Sequence, residues 1–305
     1  MRFLRSRKRG ALILAGVLLL VSVIPAMAVI EAEEAFLNTW NRTDYPVQTG
    51  DADRTWMWGP EPATEVIAES YREHPAEMRP VQYWDKSRME VNDPNADPND
   101  LWYVTNGLLA KELMTGRMQF GDHHHEQFDP ADVHIAGDPD AGAPTYATFG
   151  DLMDVRSVPP GSTIPAVPIT QTVNDEGVIG DEEALATYEV LVAHYAPETD
   201  HVVASVFWDF MNASGPVAPD GPFGAIVDEP LFDNPFYAVG LPITEAYWVY
   251  VDVDEVPQWV LVQAFERRVL TYTPGNDPGW QVEAGNVGQH YYMWRYGEEP
   301  QGMSD

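Results

Sequence analysis

Val262-Gln263-Ala264-Phe265-Glu266-Arg267 restates Val81-Gln82-Tyr83-Trp84-Asp85-Lys86, which stands 181 residues upstream. The correspondence runs outward in both directions at an offset of 180 or 181 residues. Upstream, Pro62-Ala63-Thr64-Glu65 matches Pro242-Ile243-Thr244-Glu245. Downstream, Asn95-Ala96-Asp97-Pro98 matches Gly275-Asn276-Asp277-Pro278, and Asn106 and Gly116 match Asn286 and Gly297. Blocks in one order at a constant offset are the mark of an internal repeat. Each copy reads the same way. An aromatic, helix-like lead-in (Phe36 to Trp40; Phe207 to Asn212) comes before a Pro-x-Thr-Glu turn. Two strand candidates follow, Trp259 to Phe265 and Arg268 to Thr273 in the second copy. A Pro/Asp/Asn loop and an amphipathic segment (Tyr103 to Leu113; Ala284 to Trp294) close the unit. The expected fold class is α+β and β-rich: two copies of a short helix-plus-β-hairpin repeat flanking a β-rich insert.

The boundaries follow from composition. A signal segment is read at 1–28, a short acidic leader at 29–35, repeat unit 1 at 36–118 and repeat unit 2 at 201–297. The intervening segment at 119–200 is β-rich and loop-rich, and a polar tail fills 298–305. The intervening segment is punctuated by Asp138-Pro139-Asp140-Ala141-Gly142, Pro159-Pro160-Gly161 and Asn174-Asp175-Glu176-Gly177, all turn formers. Asp181 to Tyr195 is predicted to be a helix capped by Asp181, and Val202 to Trp208 a strand.

The N-terminus supplies the address. Arg2, Arg5, Arg7, Lys8 and Arg9 precede an apolar run from Ala11 to Ile24. Pro25 and Ala26-Met27-Ala28 then offer a cleavage site after Ala28. The run is shorter than the ~20 residues a membrane span needs. A secreted protein is therefore expected, with surface retention open and no membrane insertion after cleavage. The chain contains no cysteine, which removes thiol nucleophiles, thiolate metal sites, disulfides and a lipidated cysteine. It carries 17 Lys+Arg against 48 Asp+Glu. Loss of the five basic signal residues makes the balance more acidic still. Such a surface repels nucleic acid and anionic membrane. It suits solubility outside the cell, and clustered carboxylates could also bind divalent cations.

The second copy carries a family likeness. Gly240-Leu241-Pro242-Ile243-Thr244-Glu245, Val262 to Glu266, Tyr272-Thr273-Pro274 and Val282-Glu283-Ala284-Gly285 together resemble the LGFP repeat. The chain is also similar to a group of secreted bacterial proteins that share Phe265-Glu266-Arg267-Arg268 and the stretch Asn286 to Tyr292. The resemblance lies within the two repeats and leaves 119–200 uncovered. It implies a cell-envelope protein that holds polysaccharide.

Gln82 and Trp84, like Gln263 and Phe265, are two apart and share a strand face. An amide beside a ring on one face could hold a sugar, or sit satisfied at a core edge. His123, His125 and Glu126 offer imidazole and carboxylate ligands for a transition metal. Adjacent histidines cannot all face one ion, and no H-E-x-x-H spacing is present, so a solvated loop is the competing reading. Asp93, Asn95 and Asp97 place oxygens at alternate positions as calcium loops do, yet lack the EF-hand glycine and distal glutamate. Asn/Asp/Pro turn formation is the competing reading there. No cofactor is required, though this loop could hold calcium. Glu266 beside Arg267 and Arg268 suggests an ion pair more than acid–base chemistry. Neither a G-x-S-x-G elbow nor a P-loop occurs. The leading expectation is a non-catalytic, polysaccharide-binding surface protein. The alternatives are a secreted glycan or cell-wall hydrolase using the His123 to Glu126 loop or acids near His290, and a calcium-stabilised structural surface protein.

Overall fold

The computed structural model describes residues 26–138, 142–159 and 167–300. The signal segment up to residue 25, two of the turn signals (in part) and residues 301–305 lie outside the described residues. The chain opens with helix α1 (Ala26–Thr43) and the short α2 (Tyr45–Gln48). Strands β1 (Ile67–Ser70), β2 (Met78–Trp84), β3 (Ser87–Glu90) and β4 (Thr105–Asn106) form one antiparallel sheet in that order. Helix α3 (Leu109–Thr115) leads into the hairpin of β5 (Arg117–Gly121) and β6 (His124–Gln127), and α4 (Tyr146–Gly150) follows. Next come β7 (Gln171–Val173), β8 (Ile179–Asp181), β9 (Val192–Ala196), β10 (His201–Ala204), α5 (Ser205–Met211), β11 (Ser214–Val217) and β12 (Val227–Pro230). The chain then runs through β13 (Tyr247–Val253), β14 (Val256–Ala264), β15 (Val269–Tyr272), β16 (Val282–Ala284) and α6 (Val287–Tyr296).

The molecule is α+β with many strands. Its larger sheet has the order β16-β15-β14-β13-β7-β8. The intervening segment therefore does not stand apart: β7 joins the edge of β13 in parallel, with Trp248 opposite Thr172. Tyr146, Phe149 and Leu152 from the same segment enter the core.

The two stretches quoted at the outset bond alike. Pro62 bridges Trp84 and Pro242 bridges Phe265. The Thr64 hydroxyl accepts the Tyr83 N–H at 3.1 Å, and the Thr244 hydroxyl accepts the Ala264 N–H at 3.1 Å. The threonine thus clamps the hairpin strand rather than capping the next turn. Helices α3 and α6 both end on a left-handed glycine, Gly116 (φ 68°) and Gly297 (φ 73°), as a C-cap without a Cβ prefers.

Each hairpin turn also holds a helix of the other half. The Asp85 carbonyl in the β2–β3 turn accepts the N–H of Gly288 (2.9 Å) and of Gln289 (3.3 Å), at the start of α6. Reciprocally, the Glu266 carbonyl in the β14–β15 turn accepts the Lys111 N–H (3.1 Å), at the start of α3. Helix N-termini carry unpaired N–H groups and partial positive charge, so an acidic turn is a suitable partner. Both apolar cores draw on both halves. One joins Phe36, Trp40, Trp58 and Trp84 to Phe207, Trp248 and Phe265. The other joins Val81, Tyr83 and Leu113 to Val262, Val287 and Tyr291.

Several local expectations are corrected. The acidic leader is part of α1, because Ala32, Phe36 and Trp40 repeat at helical spacing and are buried. Asp181 to Tyr195 is not a helix: a 3-10 turn at Glu183–Tyr188 gives way to β9. Glu189 takes φ 54° there, ending the turn, and the segment then pairs with β10. The strand expected to run to Trp208 stops at Ala204, where the register with β9 shifts. From Ser205 the i, i+4 pair Phe207 and Met211 buries one face of α5. The amphipathic segment Tyr103 to Leu113 divides in two: Thr105 and Asn106 pair with β3, and the helix starts at Leu109.

Candidate functional site

The four residues expected to meet a sugar lie inside the protein. Gln82 is 5% exposed, Trp84 1%, and Gln263 and Phe265 0%. The Gln82 amide donates to the Thr64 carbonyl at 3.1 Å. The Gln263 amide donates to the carbonyls of Val202 (2.6 Å) and Thr244 (3.0 Å) and accepts the Ala204 N–H. Trp84 stacks on Trp40 at 6.0 Å, and Phe265 meets Phe207 edge-on at 6.4 Å. Burial of all four, with the Gln82 and Gln263 amides bonded to backbone, leaves these side chains no surface for a ligand, which corrects the sugar-contact assignment.

The metal candidates are not assembled either. His123, His125 and Glu126 flank and form the exposed strand β6. The His124 ring instead meets Arg72 and lies 3.7 Å from Glu73. Asp93 and Asp97 accept the N–H groups of Asn95 and Asn99, both at 2.9 Å, as turn-forming carboxylates do. Among the described residues no three His, Asp or Glu side chains are grouped as a metal would need.

The acid–base candidates are tied to the framework. The Glu266 carboxylate pairs with Lys111 at 3.0 Å, while Arg267 donates to the carbonyls of Phe236 and Tyr237 and Arg268 to that of Met57. His290 is held by the Tyr146 hydroxyl at 3.0 Å. Burial, then the Lys86 charge, push its pKa down to about 4.

A network of ion pairs lies in the interior. Arg88 lies between Glu69 (3.2 Å), Glu90 (2.6 Å) and Glu112 (3.7 Å), and Arg295 reaches Glu69 at 3.5 Å. Tyr83 and Tyr296 donate to Glu69, and Tyr291 to Glu112, at 2.5 to 2.8 Å. Burial opposes ionisation of Glu69, but Arg295, Arg88 and Arg79 outweigh it and hold its pKa down at about 2. Burial raises that of Glu112 despite Arg88. Two carboxylates with diverging pKa values resemble an acid–base pair. Their side chains are at most 3% exposed, so no substrate reaches them.

What the surface does present is aromatic. Tyr250 and Trp259 face each other across β13 and β14, with ring centroids 5.1 Å apart. Tyr250 is 58% exposed and Trp259 half-buried. Trp248 shares the Tyr250 face two residues away. It is covered by Tyr188, stacked at 5.1 Å, and meets Tyr272 at 6.2 Å. Where β7 and β8 meet β13, an open groove of about 400 Å³ is lined by Tyr250, Trp259, Thr172, Asn174 and Asp175. It combines flat apolar rings with hydroxyl, amide and carboxylate groups. The alternation of Tyr247 to Val253 held the signal for this face, but not which of its aromatic residues would remain uncovered.

No family model, curated protein or solved structure matches the chain. Among the described residues no helix is long and apolar enough to cross a membrane.

Proposed function

We infer that this is an exported, non-catalytic protein of the cell surface or envelope that binds polysaccharide. On this reading its two halves are copies of one helix-plus-hairpin unit akin to the LGFP repeat. The shared threonine clamps, the glycine helix ends and the reciprocal turn-to-helix bonds support that duplication. The observation that carries the binding role is the exposed Tyr250–Trp259 pair over a groove with Thr172, Asn174 and Asp175. The apolar face of a sugar ring stacks on such rings while its hydroxyls bond to neighbouring polar groups. Export is supported by the basic-then-apolar N-terminus with its small-residue cleavage site.

The test is co-sedimentation of residues 29–305 with envelopes of the source organism, competed by soluble wall polysaccharide. Aromatic anchors at an interface contribute about 2 kcal/mol or more. The pair Tyr250→Ala and Trp259→Ala should therefore weaken retention at least ~30-fold. Retention unchanged in a folded double variant would refute this site.

A further inference from the structure

A second cleft, of about 640 Å³, lies away from the aromatic groove, between α1 and the loop leading to β4. Glu31, Glu34 and Asn38 line one wall, at i, i+3 and i+7 on one helix face. Asp100 and Tyr103 line the other, and Phe232 is part of the lining. On a protein this acidic, carboxylates occur everywhere. This place differs in setting three carboxylates, Glu31, Glu34 and Asp100, around one concave, aromatic-lined cleft, where the Tyr250–Trp259 groove has Asp175 alone. Arg42 is the only Lys or Arg among the residues lining it. Its guanidinium is committed to the carbonyls of Leu231 (3.0 Å) and Pro230 (2.9 Å), with Glu229 at 3.6 Å. The negative field reaches the aromatic lining: burial, then Glu31 and Asp93, raise the Tyr103 phenol.

We propose that this cleft is a binding site for an organic ammonium group, carried by an amino sugar or by a lysine-type side chain. A cleft lined by one sign of charge concentrates the opposite ion. Aromatic rings beside carboxylates favour a cation that brings a carbon body, through cation–π attraction and apolar contact. A bare divalent ion fits less well. Calcium takes six to eight oxygens, and no grouped set of three acidic or imidazole side chains occurs among the described residues. The site stands independently of the polysaccharide reading, since it shares no residue with the Tyr250–Trp259 groove.

The test is calorimetric titration of residues 29–305 with glucosamine and with Nα-acetyl-lysine amide, using N-acetylglucosamine as the uncharged control. The titration is made on the Tyr250→Ala, Trp259→Ala double variant, which removes the sugar-stacking groove; the expected result is saturable binding of at least one ammonium compound, weakening as salt rises, with none by the control. Whichever compound binds identifies the source. Glu31→Gln combined with Glu34→Gln alters two exposed side chains, so folding is retained, and should weaken binding tenfold or more. Tyr103→Ala should also weaken it. Equal binding of N-acetylglucosamine, failure of both ammonium compounds, or indifference to the double substitution would overturn the proposal. So would displacement of the ammonium by equimolar calcium.

Discussion

Replacing Gly288 with alanine tests whether the two halves depend on one another through their helix-to-turn contacts. A Cβ at this position would lie 2.0 Å from the Trp84 carbonyl oxygen, 2.6 Å from that of Ser87 and 2.9 Å from the Ser87 nitrogen. All three are backbone atoms of the β2–β3 turn, so no flexible side chain can swing away. Either α6 lifts from the turn or the turn distorts. Both movements break the Gly288 N–H bond to Asp85 (2.9 Å) and the Gln289 amide bond to the Asp85 carboxylate (2.8 Å). Overpacking costs about 1–3 kcal/mol, and each lost hydrogen bond about 1 kcal/mol. The sum is ~3–5 kcal/mol, or a fall in melting temperature of roughly 10 °C for a chain of this size. Urea unfolding followed by tryptophan fluorescence measures it, with Gly285→Ala as the control. A Cβ at Gly285 would meet its nearest atom at 3.8 Å, an ordinary contact. Its substitution should shift stability by less than about 1 kcal/mol. If Gly288→Ala unfolds within 0.5 kcal/mol of the parent, on the order of a surface change, the docking argument fails.

Arg88→Met leaves Glu69, Glu90 and Glu112 buried without their shared partner. It should cost about 3–5 kcal/mol in chemical denaturation; a near-neutral result would show that the network is not maintained in solution. The pH dependence should have two opposing parts. Glu69 has a folded pKa of about 2, below its ordinary 4.5, so its contribution is present above pH 4.5 and is lost as pH falls toward 2. Asp44 is pushed up to about 6 by burial, which outweighs N–H bonds from Trp58, Met57 and Gly59. Its raised pKa means that stability is lost as pH rises through about 4 to 6. Melting curves from pH 2 to 7 should show Glu69→Gln flattening the acid limb and Asp44→Asn the limb above it; parallel curves for all three proteins would contradict both assignments. Calcium should change the melting temperature by less than about 2 °C, because the Asp93 and Asp97 carboxylates accept backbone N–H groups of their own turns. A rise of ten degrees would favour the calcium-stabilised reading instead.

The sequence by itself determined the features whose physics is local. The helix-like lead-ins Phe36 to Trp40 and Phe207 to Asn212, and the strand pair Trp259 to Phe265 and Arg268 to Thr273, are set by neighbouring residues. Hydrophobic periodicity and strand-forming composition are enough to read them. Segments with a weak local signal take their form from long-range pairing. Asp181 to Tyr195 has helix formers, but pairing of β9 with β10 overrides propensity. Tertiary structure alone decided which side chains reach solvent. Trp248 and Tyr250 sit on one face of one strand, yet Trp248 is sealed while Tyr250 is 58% exposed. The difference is Tyr188, brought over Trp248 from sixty residues away in the chain. Gln82 and Gln263 were legible as a strand-face pattern, but their amides are consumed by carbonyls that only the fold brings near. Glu31 and Glu34 read as a leader until Ala32, Phe36 and Trp40 anchored their helix opposite Tyr103 and made them the wall of a cleft. A side chain's exposure depends on what the rest of the chain lays over it, and that is a property of long-range packing, which local sequence does not encode.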